Sequence, residues 1–323
     1  MEIPMFCHRL LPIILIAACC TQKPKHPPVD TVSPVEKLRT KHNNYLAWSS
    51  SQRDEHGWVD DTKCDGLLFN SLYAVAGGDI DIEAAQQVDE PGRWYRHAAQ
   101  DCYETGGSAS TISRDMFIGL FTWIWKEKRS DLIEAIIEYG QARRDALGNW
   151  IMGDGDIFRI TITPSLKATA CELSYRLGGP EYKLCRALPQ VFSTCSDYEC
   201  HLQALHIDLR GELRGGITDK ELDRLNALTE QFPRNGLFAA LRAKYTDGDM
   251  SRAIELLLDG ELFPNDRLPT TQDRCTFYLF QRDEERDGSP NPDWQPCPDD
   301  PPEEFAGIDF LYASSIILER SEL

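Results

Sequence analysis

The sequence predicts a mainly α-helical body assembled from hairpins. Three observations carry this: apolar residues recurring every three or four positions, helix-capping residues ahead of those stretches, and very short connections between them. Only Phe158-Arg159-Ile160-Thr161-Ile162 alternates as a strand would.

Taken in order, Asp65-Gly66-Leu67-Leu68 sets a carboxylate at a helix start, where unpaired amides and the helix dipole favour an anion. Ser113 reads as the N-cap of a helix whose wide apolar face is Met116, Phe117, Leu120, Phe121 and Ile124. Ser130 reads as the cap of the next, carrying Leu132, Ile136 and Tyr139. Thr163-Pro164 places proline at a favourable first helical position, and Gly178-Gly179 closes that segment. Thr218-Asp219-Lys220-Glu221 is a capping box ahead of Leu222, Leu225 and Leu228. Leu237 to Tyr245 and Met250 to Leu258 form a helix pair turned at Thr246-Asp247-Gly248-Asp249, and Phe305 to Leu318 is a last apolar helix. Helices so connected bury their stripes as a ring of hairpins or as a stacked superhelix. No period of similar residues repeats, which favours the ring, an (α/α)n toroid.

The first residues read as an export signal, with Arg9 before the short apolar run Leu10 to Ala18. That run is too short to cross a bilayer as a permanent helix. Ile16-Ala17-Ala18-Cys19 resembles the lipobox of bacterial lipoproteins, which implies cleavage before Cys19 and a lipid on its sulfur. An ordinary cleaved leader with Cys19 and Cys20 nearby is the alternative. The expected organisation is a signal peptide over 1–18, an extended proline-rich tether over 19–36 and one helical domain over 37–323. The resemblance places the mature chain in the cell envelope, on the periplasmic face or the cell surface.

Lys and Arg total 34 against 52 Asp and Glu, a net charge of −18. Such a surface repels nucleic-acid phosphates and gains little from anionic lipid, so no nucleic-acid partner is expected and membrane attachment falls to the lipid. In an exported chain the cysteines beyond Cys20 default to disulfides. Cys64 with Cys102, Cys171 with Cys185, Cys195 with Cys200 and Cys275 with Cys297 would each close a short loop, although spacing alone does not fix connectivity. No CxxC is present, and Gly153-Asp154-Gly155-Asp156 lacks the closing glutamate of a calcium loop, so neither a metal nor a cofactor is expected.

Residues suited to chemistry concentrate between Asp61 and Arg159. Gly92-Arg93-Trp94-Tyr95-Arg96 combines forked donors with flat rings, the groups that hold a sugar or a carboxylated ligand, and equally the groups that pack arginine on an aromatic surface. Ser113-Arg114-Asp115-Met116 offers a second helix-start carboxylate, with Gly119 allowing close approach. Together with Cys64-Asp65-Gly66-Leu67-Leu68, these segments resemble the active-site rim of (α/α)6-toroid carbohydrate enzymes. The resemblance implies glycan cleavage between paired carboxyl groups, Asp65 and Asp115, with Arg93, Trp94, Tyr95, Arg114 and Arg159 on a carbohydrate substrate. In a lyase variant Tyr95 or His97 would be the base. GxSxG, HExxH and GxxxxGK[ST] signatures are all missing.

A second reading comes from Asn235-Gly236-Leu237-Phe238-Ala239-Ala240-Leu241 followed by Gly248-Asp249-Met250-Ser251-Arg252-Ala253-Ile254. This is similar to a tetratricopeptide hairpin and implies a non-catalytic helical-repeat lipoprotein that binds unidentified protein partners.

Overall fold

The computed structural model describes residues 32–59, 66–100, 112–153, 160–182, 192, 195, 197–246, 249–269 and 307–321. Its helices are α1 (Pro34–Ser50), α2 (Gly66–Val75), α3 (Met116–Glu127), α4 (Ser130–Ala142), α5 (Pro164–Arg176), α6 (Asp197–Arg214), α7 (Asp219–Gln231), α8 (Gly236–Tyr245), α9 (Ser251–Leu258) and α10 (Ile308–Ser321). The expected helical class is therefore what the chain adopts, and Ser33–Leu323 forms one compact unit. Among the described residues the strands are β1 (Ile151–Gly153) and β2 (Ile160–Thr161), antiparallel with Ile151 opposite Thr161. Of the expected strand, Phe158 and Arg159 lie outside the described residues.

Local chemistry accounts for the helix ends. The Thr163 hydroxyl accepts from the Leu166 N–H at 3.2 Å with Pro164 in the first turn, as expected. Thr218 and Glu221 close the expected capping box. Two caps differ by one or two residues. Asp115, not Ser113, flanks α3, and the Ser113 hydroxyl instead donates to the Asp115 carboxylate. Ser130 is the first residue of α4, entered from Arg129. The sequence pattern missed α1, which Ser33 caps for Glu36 at 3.2 Å ahead of Pro34, so helix begins inside the segment expected to be tether.

Packing is organised around α10. Its Ile308, Phe310, Leu311, Tyr312, Ala313 and Ile317 are all buried, and it lies against α1, α2, α8 and α9. Among the described helices from α6 onward the contacts form a ladder centred on α8: α6 touches α7 and α8, α7 touches α8, and α8 touches α9 and α10, which also touch each other. That ladder is the one made by stacked helical hairpins. It does not by itself establish the closed ring that the lack of a sequence period favoured. Helix lengths fall from 18 residues in α6 to 8 in α9, so no period is left in the sequence.

Helices α2 and α3 are pressed together. A Cβ on Gly119 would lie 2.4 Å from the Leu68 carbonyl oxygen. The backbone approach that Gly119 permits is thus filled by α2 itself.

Cys195 and Cys200 form the expected disulfide at the head of α6, with Cα atoms 5.3 Å apart. Cys171 is also disulfide-bonded. Cys64, Cys102, Cys185, Cys275 and Cys297 lie outside the described residues. No described helix is long and apolar enough to cross a membrane.

Candidate functional site

Four chain segments expected to carry the site adjoin at the start of α2. The Leu67 N–H donates to the Arg96 carbonyl at 2.7 Å, bringing the Arg93–Arg96 segment to the helix start. The Leu68 N–H points at the Met116 sulfur at 3.3 Å, bringing in the head of α3 with Asp115. Arg114 donates through Nε to the Thr161 carbonyl at 2.9 Å, bringing in β2. Asp65, Arg159 and the lipidation candidate Cys19 lie outside the described residues.

The side chains of the first segment are turned inward. Arg93-Trp94-Tyr95 is the returning arm of a small hairpin, in which Gln86 pairs with Trp94 and the Tyr95 N–H donates to the Ala85 carbonyl at 2.9 Å. Trp94 and Tyr95 are 1% and 6% exposed, so neither ring offers a face to a sugar. The Tyr95 hydroxyl donates to Gln87 at 2.8 Å. Arg93 reaches Glu90 at 3.0 Å and lies 5.5 Å over the Tyr95 ring, the packing arrangement of arginine on an aromatic surface. Burial opposes its charge, but the Glu90 hydrogen bond with Tyr95 and Tyr139 outweighs it and raises the Arg93 pKa. His97 is likewise engaged: Nε2 faces Asp54 Oδ2 at 3.0 Å while Nδ1 accepts from the Ala99 N–H at 3.0 Å. Arg114 is exposed and Asp115 half-buried at the head of α3.

A second hairpin stands beside the first. Arg144 pairs with Trp150, and Asp145-Ala146-Leu147-Gly148-Asn149 forms its tip. Asp145 Oδ1 accepts from the Leu147 and Asn149 N–H groups, both at 2.8 Å, and Oδ2 accepts from the Asn149 amide at 2.8 Å. Both hairpins are rooted on the last turns of α4. Gly92 meets Ala135 and Tyr139, Gly140 meets the buried Trp150 ring, and Arg143 ties across to Glu90 at 3.7 Å. Gly92 takes φ +88° there, and any Cβ would strike the Ala135 carbonyl. Each tip carries one aliphatic side chain pointed into water: Val88 and Leu147 are both 88% exposed. Sequence reasoning passed over both, although an aliphatic residue inside a Gly- and Asp-rich turn was the available signal.

Elsewhere, buried polar side chains tie helices together. Asp208, fully buried on α6, accepts from Lys244 Nζ at 2.7 Å, the Tyr245 hydroxyl at 2.7 Å and the Tyr312 hydroxyl at 2.6 Å. His201 on α6 meets Asp309 on α10 at 2.8 Å, and His42 on α1 meets Ser314 on α10 at 2.8 Å. His206 lies 2.8 Å from the Thr169 hydroxyl, and burial, assisted by Arg210, lowers its pKa to about 3. Among the described residues, no three or more of His, Cys, Asp and Glu are grouped to hold a metal ion. A cavity of about 360 Å³ opens between α1, α3 and α10, lined by Arg39, His42, Lys126 and Glu319 among others, and it contains none of the residues expected to act on a glycan.

No family model, curated protein or solved structure matches the chain.

Proposed function

We propose that this chain is a non-catalytic helical-repeat protein of the bacterial cell envelope, exported, held on a membrane through a lipid on Cys19, and acting by binding protein partners. The observation that carries the reading is the ladder of contacts centred on α8, against which α6, α7, α9 and α10 all pack. Arrays of this kind leave outer helix faces as extended binding surfaces. On α7 that face presents Asp223, Ala227 and Glu230 to solvent at helical spacing. The inward-turned Trp94 and Tyr95 support the same reading, because the aromatic segment is absorbed into the framework of a hairpin.

A second reading, glycan cleavage by a carboxylate pair, is favoured by two contacts at the start of α2, the Leu67 N–H to the Arg96 carbonyl and the Leu68 N–H to the Met116 sulfur. The Met116 contact brings the half-buried Asp115, the residue before it, toward the start of α2, whose first residue Gly66 follows Asp65 in the sequence. One experiment separates the two. The purified chain is incubated with a broad polysaccharide panel and the products are sized, alongside Asp115→Asn. The binding reading expects no cleavage by either protein. Cleavage by the wild type that is lost in Asp115→Asn overturns it in favour of the glycosidase. Export and anchoring are tested by metabolic labelling with a radioactive fatty acid, which Cys19→Ala should abolish.

A further inference from the structure

We infer that the paired hairpins on α4 are a protein-docking surface, with Val88 and Leu147 as its two apolar prongs. The partner is a protein offering two apolar pockets, the one for Leu147 rimmed by carboxylates. The inference rests on the binding reading above and assigns it a surface.

Two independent features of the tips point outward. The first is preorganisation. Gln87 N–H to the Arg93 carbonyl at 2.9 Å and the Arg93–Glu90 pair fix one tip. The Asp145 carboxylate and the Asp145 N–H to the Asn149 carbonyl at 3.0 Å fix the other. Buried Trp94 and Trp150 hold the two roots. An aliphatic side chain held at 88% exposure on a rigid turn loses little further entropy on docking, which is what an anchor residue requires.

The second is charge. In a chain with 18 surplus acids, the Leu147 tip is flanked by two cations that have no carboxylate partner among the described residues. Arg144 donates through Nε to the Gln141 carbonyl at 2.7 Å. Lys167 donates to the Gly148 carbonyl at 3.3 Å and lies 5.0 Å over the Trp150 ring. Among the described residues both cations keep only backbone or ring contacts, so a carboxylate brought by a partner completes them. A lipid surface suits the site less well, because Asp89 and Glu90 adjoin Val88 and would be pressed against lipid phosphates. A protein can set carboxylates over Arg144 and Lys167 alone.

The test places a photo-crosslinking residue at 88, at 147, and at 223 and 230 on α7, in the full chain expressed in its own cells. Adducts are identified by mass spectrometry. The partner found at 88 and 147 is then purified and titrated against the wild type, Val88→Asp, Leu147→Asp and Arg144→Gln/Lys167→Gln. The docking surface predicts one and the same protein at 88 and 147, affinity reduced about tenfold by each Asp variant, and a weaker salt dependence in the double cation variant. Unchanged unfolding midpoints show that the losses are not from misfolding. Lipid adducts, self-adducts, or silence at 88 and 147 overturn the assignment. If 223 or 230 then still traps a protein, the binding reading survives the loss of this surface. If all four positions are silent, both fall.

Discussion

Tyr312 on α10 donates its hydroxyl hydrogen to Asp208 on α6 at 2.6 Å, deep in the stack, where both residues are buried. Lys244 and Tyr245 on α8 complete the ring of donors at 2.7 Å, and Lys244 also reaches Glu212 at 2.5 Å. Burial opposes the Lys244 charge, but the two carboxylates outweigh it and raise the Lys244 pKa. Burial and then the Asp208 charge push Tyr245 and Tyr312 upward, so both remain protonated donors. Lys244→Met strands a buried carboxylate and should cost about 3 kcal/mol, while Tyr312→Phe, with two donors remaining, should cost about 2 kcal/mol. Urea midpoints of the two variants and their double mutant would show non-additive losses, since the residues share one acceptor.

Acid should weaken the fold before the carboxylates titrate. In the folded chain the His206 pKa is about 3, against 6.5 ordinarily, and burial also lowers His42. Between those values only the unfolded chain takes up the proton, so stability present above pH 6.5 is lost as the pH falls. Each such group contributes up to about 1.4 kcal/mol per pH unit. Glu221 adds its share only below its ordinary 4.5. Burial raises its pKa, but the Thr218 and Arg214 hydrogen bonds prevail and lower it. Denaturant titrations at several pH values from about 4.5 to 7 should slope downward toward acid, and His206→Gln should flatten the line.

Gly119→Ala should be among the most damaging single changes. Its Cβ would stand 2.4 Å from the Leu68 carbonyl oxygen, so α2 and α3 would have to part, at about 3 kcal/mol. Gly148→Ala is the contrast: nothing lies within 4 Å and only the φ of +81° is unfavourable, so about 1 kcal/mol is expected. Thermal unfolding would rank the two.

Asp145→Ala should leave the global unfolding midpoint nearly unchanged but loosen the second tip. The Leu147 and Asn149 N–H groups lose their acceptor. Faster hydrogen exchange at those two amides would show it, and exchange as slow as in the wild type would mean that the turn does not need the carboxylate.

Helix identity was legible because it is set locally. Thr163-Pro164 and Thr218 with Glu221 carry their caps within a few residues, and both appear where the pattern put them. The α1 helix was less visible, because Leu38, Lys41, His42, Tyr45 and Ser49 share its buried face and three of them, Lys41, His42 and Ser49, are polar. Lys41 is buried because its ammonium group donates to the Phe263 carbonyl at 2.6 Å, a partner 222 residues away. The site was legible in part. The segments around Arg96, Leu68, Met116 and Thr161 do adjoin, and of the two readings the sequence left open for Arg93-Trp94-Tyr95, a ligand-holding surface or a packing one, the structure takes the second: Trp94 is buried at the root of a hairpin.

By itself, then, the sequence determined most of the stretches that coil into helices, α1 and α6 excepted, the surplus of acid, and Cys195 with Cys200 as one of the short closures open to it, all consequences of neighbours a few residues apart. Only the tertiary structure decided that Asp208 would be wrapped by donors from α8 and α10, that α10 would lie against α1, α2, α8 and α9, and that Val88 and Leu147 would stand in water. Whether an aromatic ring or an aliphatic side chain is buried depends on what the rest of the chain brings against it, and no local pattern encodes that.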